Sequence, residues 1–277
     1  MSIFGEMTSM SEFKFSIDSF GLWRRILVKN RVYKALIVRF VIGRYGRDNI
    51  GFMWTIVEPM MLCVGVMIIW SLTKGVGYHG GSIVAFVFTG YMPLTLWRHQ
   101  TGYMVNIGKS TKFLTIFHDL NVMDAILSRL FLEYFSVTAA SLVVFASLYS
   151  FDLLDFPYSL SEVVKGWLLM GVICSCSGIL FAALSELSHI MERINAPLQY
   201  FILPFSGCFF MVEWLPDSVK KYALYIPLVN AYEILRGGFY GPEFPTYGDS
   251  VYVIICSILT AGLGFFIFER VKNRIDA

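Results

Sequence analysis

Arg44 and Arg47 stand just ahead of an apolar run in which Glu58 and Pro59 sit side by side, in the stretch RYGRDNIGFMWTIVEPM, 44–60. A carboxylate about a turn and a half into a membrane span has three outlets. It can reach back to the interface, pair with Arg44 or Arg47, or face a water-filled path. Proline removes one backbone hydrogen bond and can kink a helix at that level. The Glu-Pro pair therefore marks a place where the run can turn a polar side away from lipid. Glu133 and Glu186 lie nearer the edges of later apolar runs, within reach of basic residues that suit them as structural partners.

Catalytic chemistry is hard to assemble from the remaining side chains. His79, His99, His118 and His189 are scattered, and the adjacent pair His118-Asp119 reads as a solvated loop pair. The five cysteines, Cys63, Cys174, Cys176, Cys208 and Cys256, all fall in apolar stretches, where a thiol behaves as a small hydrophobe. Cys174 and Cys176 project about 200° apart around a helix, so neither a metal site nor a disulfide is expected. No G-x-x-x-x-G-K-[ST] phosphate loop occurs, so the chain is not expected to hydrolyse nucleotide by itself.

The elements that would position these groups are membrane spans. Of 277 residues, 56% are hydrophobic and only 15% charged, against about 25% charged in an average soluble protein. A hydrocarbon layer roughly 30 Å thick takes about 20 apolar residues to cross. Six runs approach that length, near 52–72, 83–105, 130–150, 167–185, 197–214 and 251–268. The second is the weakest, because Pro93, Arg98 and His99 interrupt it. Basic residues cluster before the first run, between the second and third, and after the sixth, whereas Asp152, Asp155, Glu162, Asp217, Glu243 and Asp249 fall in the alternate connections. The positive-inside rule then places both termini in the cytoplasm. No cleavable signal is expected, since the first apolar run starts only near residue 52.

Three further segments carry information. Residues 20–40 are amphipathic, with Leu22, Ile26, Val32, Leu36 and Phe40 near one face and basic residues between them, which predicts a helix lying on the membrane surface. The connection 106–129 brings Phe113, Leu114, Ile116 and Phe117 onto a cytoplasmic loop, where they either fold back on the bilayer or insert into a soluble subunit. Residues 216–245 are apolar in the middle but broken by Pro227. A full span there would bury Glu233 and Arg236 in hydrocarbon, so two short helices dipping into the outer leaflet are expected instead. Irregular backbone at that depth requires protein or water to cover its polar groups.

Several stretches together resemble the membrane subunits of type-2 ABC exporters, and the capsular polysaccharide export permeases in particular. These are RYGRDNIGFMWTIVEPM; FTGYMPLTLW, 88–97; NVMDAILSRLFLEY, 121–134; LPFSGCFFMVEWLP, 203–216; and YIPLVNAYEILRGGFYG, 225–241. The resemblance covers nearly all of the chain after residue 20. It implies an all-α integral membrane protein of the bacterial inner membrane, with a cytoplasmic segment over 1–51, a six-span permease domain over 52–277 and re-entrant periplasmic helices at about 216–245. It also implies a second copy of the chain, two separate ATPase subunits that bind the ATP and magnesium, and periplasmic or outer-membrane capsule export proteins as partners. The cargo would be a lipid-linked polysaccharide, with no nucleic acid involved and no cofactor bound by this chain. Residues 20–33 would be the interface helix. The loop around 109–121 would be the coupling helix, with Lys109, Phe113, Leu114, Phe117, His118 and Asp119 facing the ATPase. Arg44 and Arg47 would meet the phosphate of the lipid-linked end, and Glu58 would hold the two arginines in position until substrate displaces it. Tyr91, Trp97, Tyr103, Tyr222, Tyr225, Tyr232, Glu233, Arg236, Phe239 and Tyr240 would line the glycan path. A permease for O-antigen, teichoic acid or another lipid or drug is the nearest alternative. A membrane-bound lipid-modifying enzyme and a scaffold subunit without transport are further ones.

Overall fold

The computed structural model describes residues 29–43, 57, 60–61, 64–69, 72, 77–78, 81–111 and 122–275. Almost all of these are helical. The one described sheet is a hairpin of two-residue strands, β1 (Gly77–Tyr78) and β2 (Gly81–Ser82), antiparallel with Gly77 opposite Ser82. The helices are α1 (29–43), α2 (Ile83–Met104), α3 (Ile107–Thr111), α4 (Val122–Ser150), α5 (Leu160–Leu187), α6 (Ile190–Ile202), α7 (Asp217–Ala223), α8 (Pro227–Tyr240) and α9 (Ser250–Ile275), with a further helical stretch over 64–69.

Three described helices are long and apolar enough to cross a membrane: Val122–Ser150, Leu160–Leu187 and the Ser250–Val271 part of α9. That is an all-helical, integral membrane architecture. α2 is the interrupted second run, and the packing explains its weak apolar signal. From Ile83 to Trp97 it is buried on nearly every side, touching α4, α5, α6 and α8. A helix enclosed by protein has no lipid to satisfy, so Pro93, Arg98 and His99 are tolerated in it. Its hydroxyls turn inward on the helix itself: Thr89 donates to the Ala85 carbonyl at 2.8 Å and Thr95 to that of Tyr91 at 2.9 Å.

Glycine lets the central helices approach closely. A Cβ on Gly166 of α5 would sit 2.6 Å from the Leu235 backbone of α8, and one on Gly238 would sit 2.5 Å from the Val163 nitrogen. α5 and α9 lie side by side and run in the same direction: Ser159 and Ser250, at their starts, border one cleft, and Gly264 lies on Leu180 farther along.

One expectation changes. The fifth run, expected to be helical over 197–214, leaves the α-helix after Ile202, passes through a 3₁₀ turn at Leu203–Phe205 and continues as irregular backbone to a second such turn at Val212–Trp214. Pro204 lacks a donor, and Gly207 has a φ of +92° that side-chain-bearing residues rarely adopt. The described part of the amphipathic N-terminal segment, α1, seats its apolar stripe on protein: Leu36 and Phe40 are buried and Val32 is packed with them, against Ala125, Ile126 and Leu130 of α4. The pair of short helices expected around Pro227 is present as α7 and α8.

Candidate functional site

The break after α6 leaves polar backbone inside the protein, and α8 covers it. Ser206, Cys208, Met211 and Val212 are buried, so their amide groups have no water to bond. Arg236, fully buried, donates from Nη1 to the carbonyls of Gly207 (2.7 Å) and Phe210 (2.6 Å), and from Nη2 to that of Cys208 (2.7 Å). Its guanidinium lies 4.4 Å from the centre of the Phe86 ring, a cation–π contact that favours burying the charge. One turn back, the Glu233 carboxylate accepts from the Val212 N–H (3.0 Å) and the Tyr247 N–H (3.2 Å). Tyr232 donates its hydroxyl to the Gly90 carbonyl of α2 at 2.9 Å. Asn230 donates to the Leu224 carbonyl at 2.6 Å and accepts from the Asp249 N–H at 3.1 Å. The run NAYEILR thus spends each polar side chain on non-helical or neighbouring backbone, as buried amides demand. Gly90 belongs to the same arrangement, since a Cβ there would meet the Cys208 carbonyl at 2.5 Å and the Arg236 Nη2 at 3.0 Å.

A second polar centre lies toward the opposite end of the bundle. Arg129 pairs through Nε with Glu133 at 3.0 Å, and His99 Nδ1 lies 3.4 Å from the other carboxylate oxygen. Glu133 is fully buried. The Arg129 guanidinium sits 4.3 Å from the Tyr103 ring centre and 5.3 Å from that of Phe40. One cation therefore joins α1, α2 and α4. Asp124, at the start of α4, adds a second tie to α1, accepting from the Tyr33 hydroxyl at 3.0 Å with Lys29 at 3.8 Å. A polar layer continues from here: Ser175 donates to the Gln100 side chain at 3.1 Å, and the Gln199 amide donates to Thr101 at 3.0 Å and to the Arg98 carbonyl at 3.1 Å. At the end of α2 the Lys109 ammonium bonds the Glu192 carboxylate, joining α3 to the base of α6. That hydrogen bond holds the Glu192 carboxyl below its ordinary range. Glu186 lies directly on Gly108, where a side chain would collide with it.

No family model matches the chain. The capsule polysaccharide export inner-membrane protein CtrC of Neisseria meningitidis serogroup B is 31% identical over 256 residues, 92% of this chain and 97% of that protein. The chain belongs to this family of capsule polysaccharide export inner-membrane proteins. BexB of Haemophilus influenzae, of the same description, is 27% identical over 251 residues, 91% of this chain and 95% of that one. The polysialic acid transport protein KpsM of Escherichia coli is 23% identical over 249 residues, 87% and 94% of the two chains.

For this member of the family, the structure distributes the expected path residues over separate places. Tyr91, Trp97, Tyr232 and Phe239 are buried in the main core, and Tyr240 is packed against it. Tyr103 stands with Arg129 at the other end. Tyr222 and Tyr225 are exposed, 70% and 59%, on and just after α7. Glu233 and Arg236 bond the backbone as described. Arg44, Arg47, Glu58, Phe113, Leu114, Phe117, His118 and Asp119 lie outside the described residues. Lys109 is exposed, as a coupling residue needs, but already bonded to Glu192. Sequence reasoning missed an uncovered stripe on α6 and just beyond it: Ile190, Ile194, Pro197, Phe201 and Phe205, with Tyr200 beside it, exposed to 64%. Its spacing of four, three, four and four residues was readable as one apolar helix face.

Proposed function

We propose that this chain is the membrane-spanning permease subunit of an ATP-driven exporter that moves a lipid-linked capsular polysaccharide out of the cytoplasm. The observation that carries the reading is the near end-to-end match to CtrC, over 92% of this chain, together with the missing phosphate loop. The family's cargo is a polysaccharide, and this chain lacks the motif that would hydrolyse nucleotide to drive it. A separate ATPase therefore supplies ATP and magnesium.

In this reading each chain crosses the bacterial inner membrane six times with both termini in the cytoplasm. The run around 52–72, α2, α4, α5, the interrupted α6 element and α9 are the spans. α7 and α8 enter from the periplasmic side and close over the exit. Two copies meet along a water-containing path, and the exposed α6 stripe is the surface each offers to the other. Arg44 and Arg47 meet the phosphate of the lipid anchor, a bidentate charge-assisted contact, and Glu58 holds them until cargo arrives. Motion of the ATPase reaches the spans at α3 and the loop after it, and the Lys109–Glu192 bond carries it into α6. Periplasmic capsule export proteins receive the glycan. Affinity isolation of the tagged chain from its native membrane tests this. A phosphate-loop ATPase is expected in stoichiometric amount, and recovery of the chain without one under every solubilisation condition overturns the reading.

A further inference from the structure

The starts of α5 and α9 and the end of α8 enclose a cleft of about 500 Å³, a volume within the range of small-molecule sites. It lies at the end of the bundle opposite α3, among elements that leave the spans. Its walls are fastened from both sides. The Ser159 N–H donates to the Gly238 carbonyl at 2.8 Å and the Tyr158 N–H to that of Phe239 at 3.1 Å. On the other wall, Tyr247 is tied to Glu233, and the Asp249 carboxylate accepts from the Val251 N–H at 2.8 Å. The space is therefore formed before any ligand enters.

The lining has a definite chemistry. Tyr158 is 71% exposed, with one side of its ring packed on Gly241, whose φ of +73° makes the turn. Phe244 packs against Tyr240 with ring centres 5.0 Å apart and the rings tilted by 53°, and two prolines stiffen that wall. Facing these rings are one carboxylate and one ammonium, Glu162 and Lys165, paired at 3.3 Å, with the hydroxyls of Ser159, Thr246 and Ser250. The charges cancel, so a strongly ionic ligand gains nothing overall. The set presents acceptors, donors and hydroxyls around an aromatic face. That pattern matches a polyhydroxylated ring, whose C–H side packs on tyrosine while its hydroxyls find both kinds of partner.

We infer that this cleft is a glycan-binding site that takes the leading sugar units as they leave the membrane domain. The inference rests on the export reading above and adds to it a site outside the path. Tyr158 is the platform, and Glu162 and Lys165 are the groups that orient hydroxyls. Binding there would hold the emerging chain outside the cap formed by α7 and α8 and oppose its slipping back.

The probe is a size-fractionated oligosaccharide cut from the capsule of the strain that carries the gene, with dextran of equal size as control. Saturation-transfer NMR is recorded on the full-length chain in detergent micelles. Binding is expected for the capsule fragment. It should weaken by about tenfold, the loss of one good contact, in Tyr158→Ala and in the double variant Glu162→Gln/Lys165→Met, and persist in Tyr158→Phe. Glu162 and Lys165 are half exposed, so their double variant keeps the fold, which its elution profile checks. Wild-type binding in both weakened variants, or none in the wild-type chain, overturns the site. So does a photocrosslinker at position 158 that traps a periplasmic polypeptide instead of glycan. The two readings fail separately. Loss of surface polysaccharide on gene deletion with no fragment binding removes the cleft alone, whereas unchanged surface polysaccharide on deletion removes the export reading.

Discussion

Replacing Arg236 by methionine is the sharpest test of how the irregular segment after α6 is held. The substitution keeps length and apolar contact but removes all three donors. Hydrogen bonds from a charged group contribute about 1.5–3 kcal/mol each, and Arg236 makes three, at 2.6 to 2.7 Å, to Gly207, Cys208 and Phe210. Allowing for non-additivity, a loss of about 4 kcal/mol or more is expected, since the buried carbonyls of Gly207 and Cys208 and the half-buried one of Phe210 all lose this donor. Thermal midpoints move by about 2–4 °C per kcal/mol in domains of 150–250 residues, so the midpoint should fall by about 8–16 °C. The assay is fluorescence-detected size exclusion after stepwise heating in detergent. Arg236→Lys should fall between, because an ammonium cannot fork to three carbonyls as a planar guanidinium does. An Arg236→Met protein that melts with the wild type would refute the bracing role and return Arg236 to the candidates for cargo contact.

Three further outcomes follow from the same geometry. Glu133→Ala strands the Arg129 cation between Tyr103 and Phe40 and should cost about 3–5 kcal/mol, while the paired change Arg129→Met/Glu133→Leu should recover most of that loss in the same melting assay. Gly166→Ala drives a methyl into the Leu235 backbone, 2.6 Å away, and should lower stability by about 1–3 kcal/mol; an unshifted melt would mean that α5 and α8 separate freely. Glu192 has its carboxyl lowered by Lys109, so the pair's contribution is complete above the ordinary carboxylate pKa and is lost as pH falls through the lowered one. Lys109→Ala should therefore melt slightly earlier than wild type at neutral pH and converge with it at the acid end, and a constant gap across the titration would contradict the pairing.

Much of the architecture was legible in the sequence where lipid or water imposes a pattern. The runs that became α4, α5 and α9 stand out because lipid-facing helices must be apolar, although α4 and α5 extend about two turns earlier than their apolar cores. The two short helices on either side of Pro227 were readable from that proline and from Glu233 and Arg236. What those two residues do was not readable, because their partners are backbone carbonyls and amides, which every residue possesses and no pattern announces. The same reason hid the break after Ile202: Pro204 and Gly207 permit it, but Arg236, nearly thirty positions on, sustains it. The aromatic candidates divided for a related cause. Ring counting cannot separate Trp97, which fills a helix interface, from Phe201, which is exposed. α1 was correctly amphipathic, and only the arrangement of α4 reveals that its apolar stripe meets protein.

The export function itself is tested most directly by following the polysaccharide. In a strain with the gene deleted, capsule polymer should accumulate inside the cytoplasmic membrane while the cell surface carries none. Re-expression of the wild-type chain, but not of a chain whose partner ATPase has lost its phosphate-loop lysine, should restore surface polymer. Surface polysaccharide at the parental amount in the deletion strain would contradict the account.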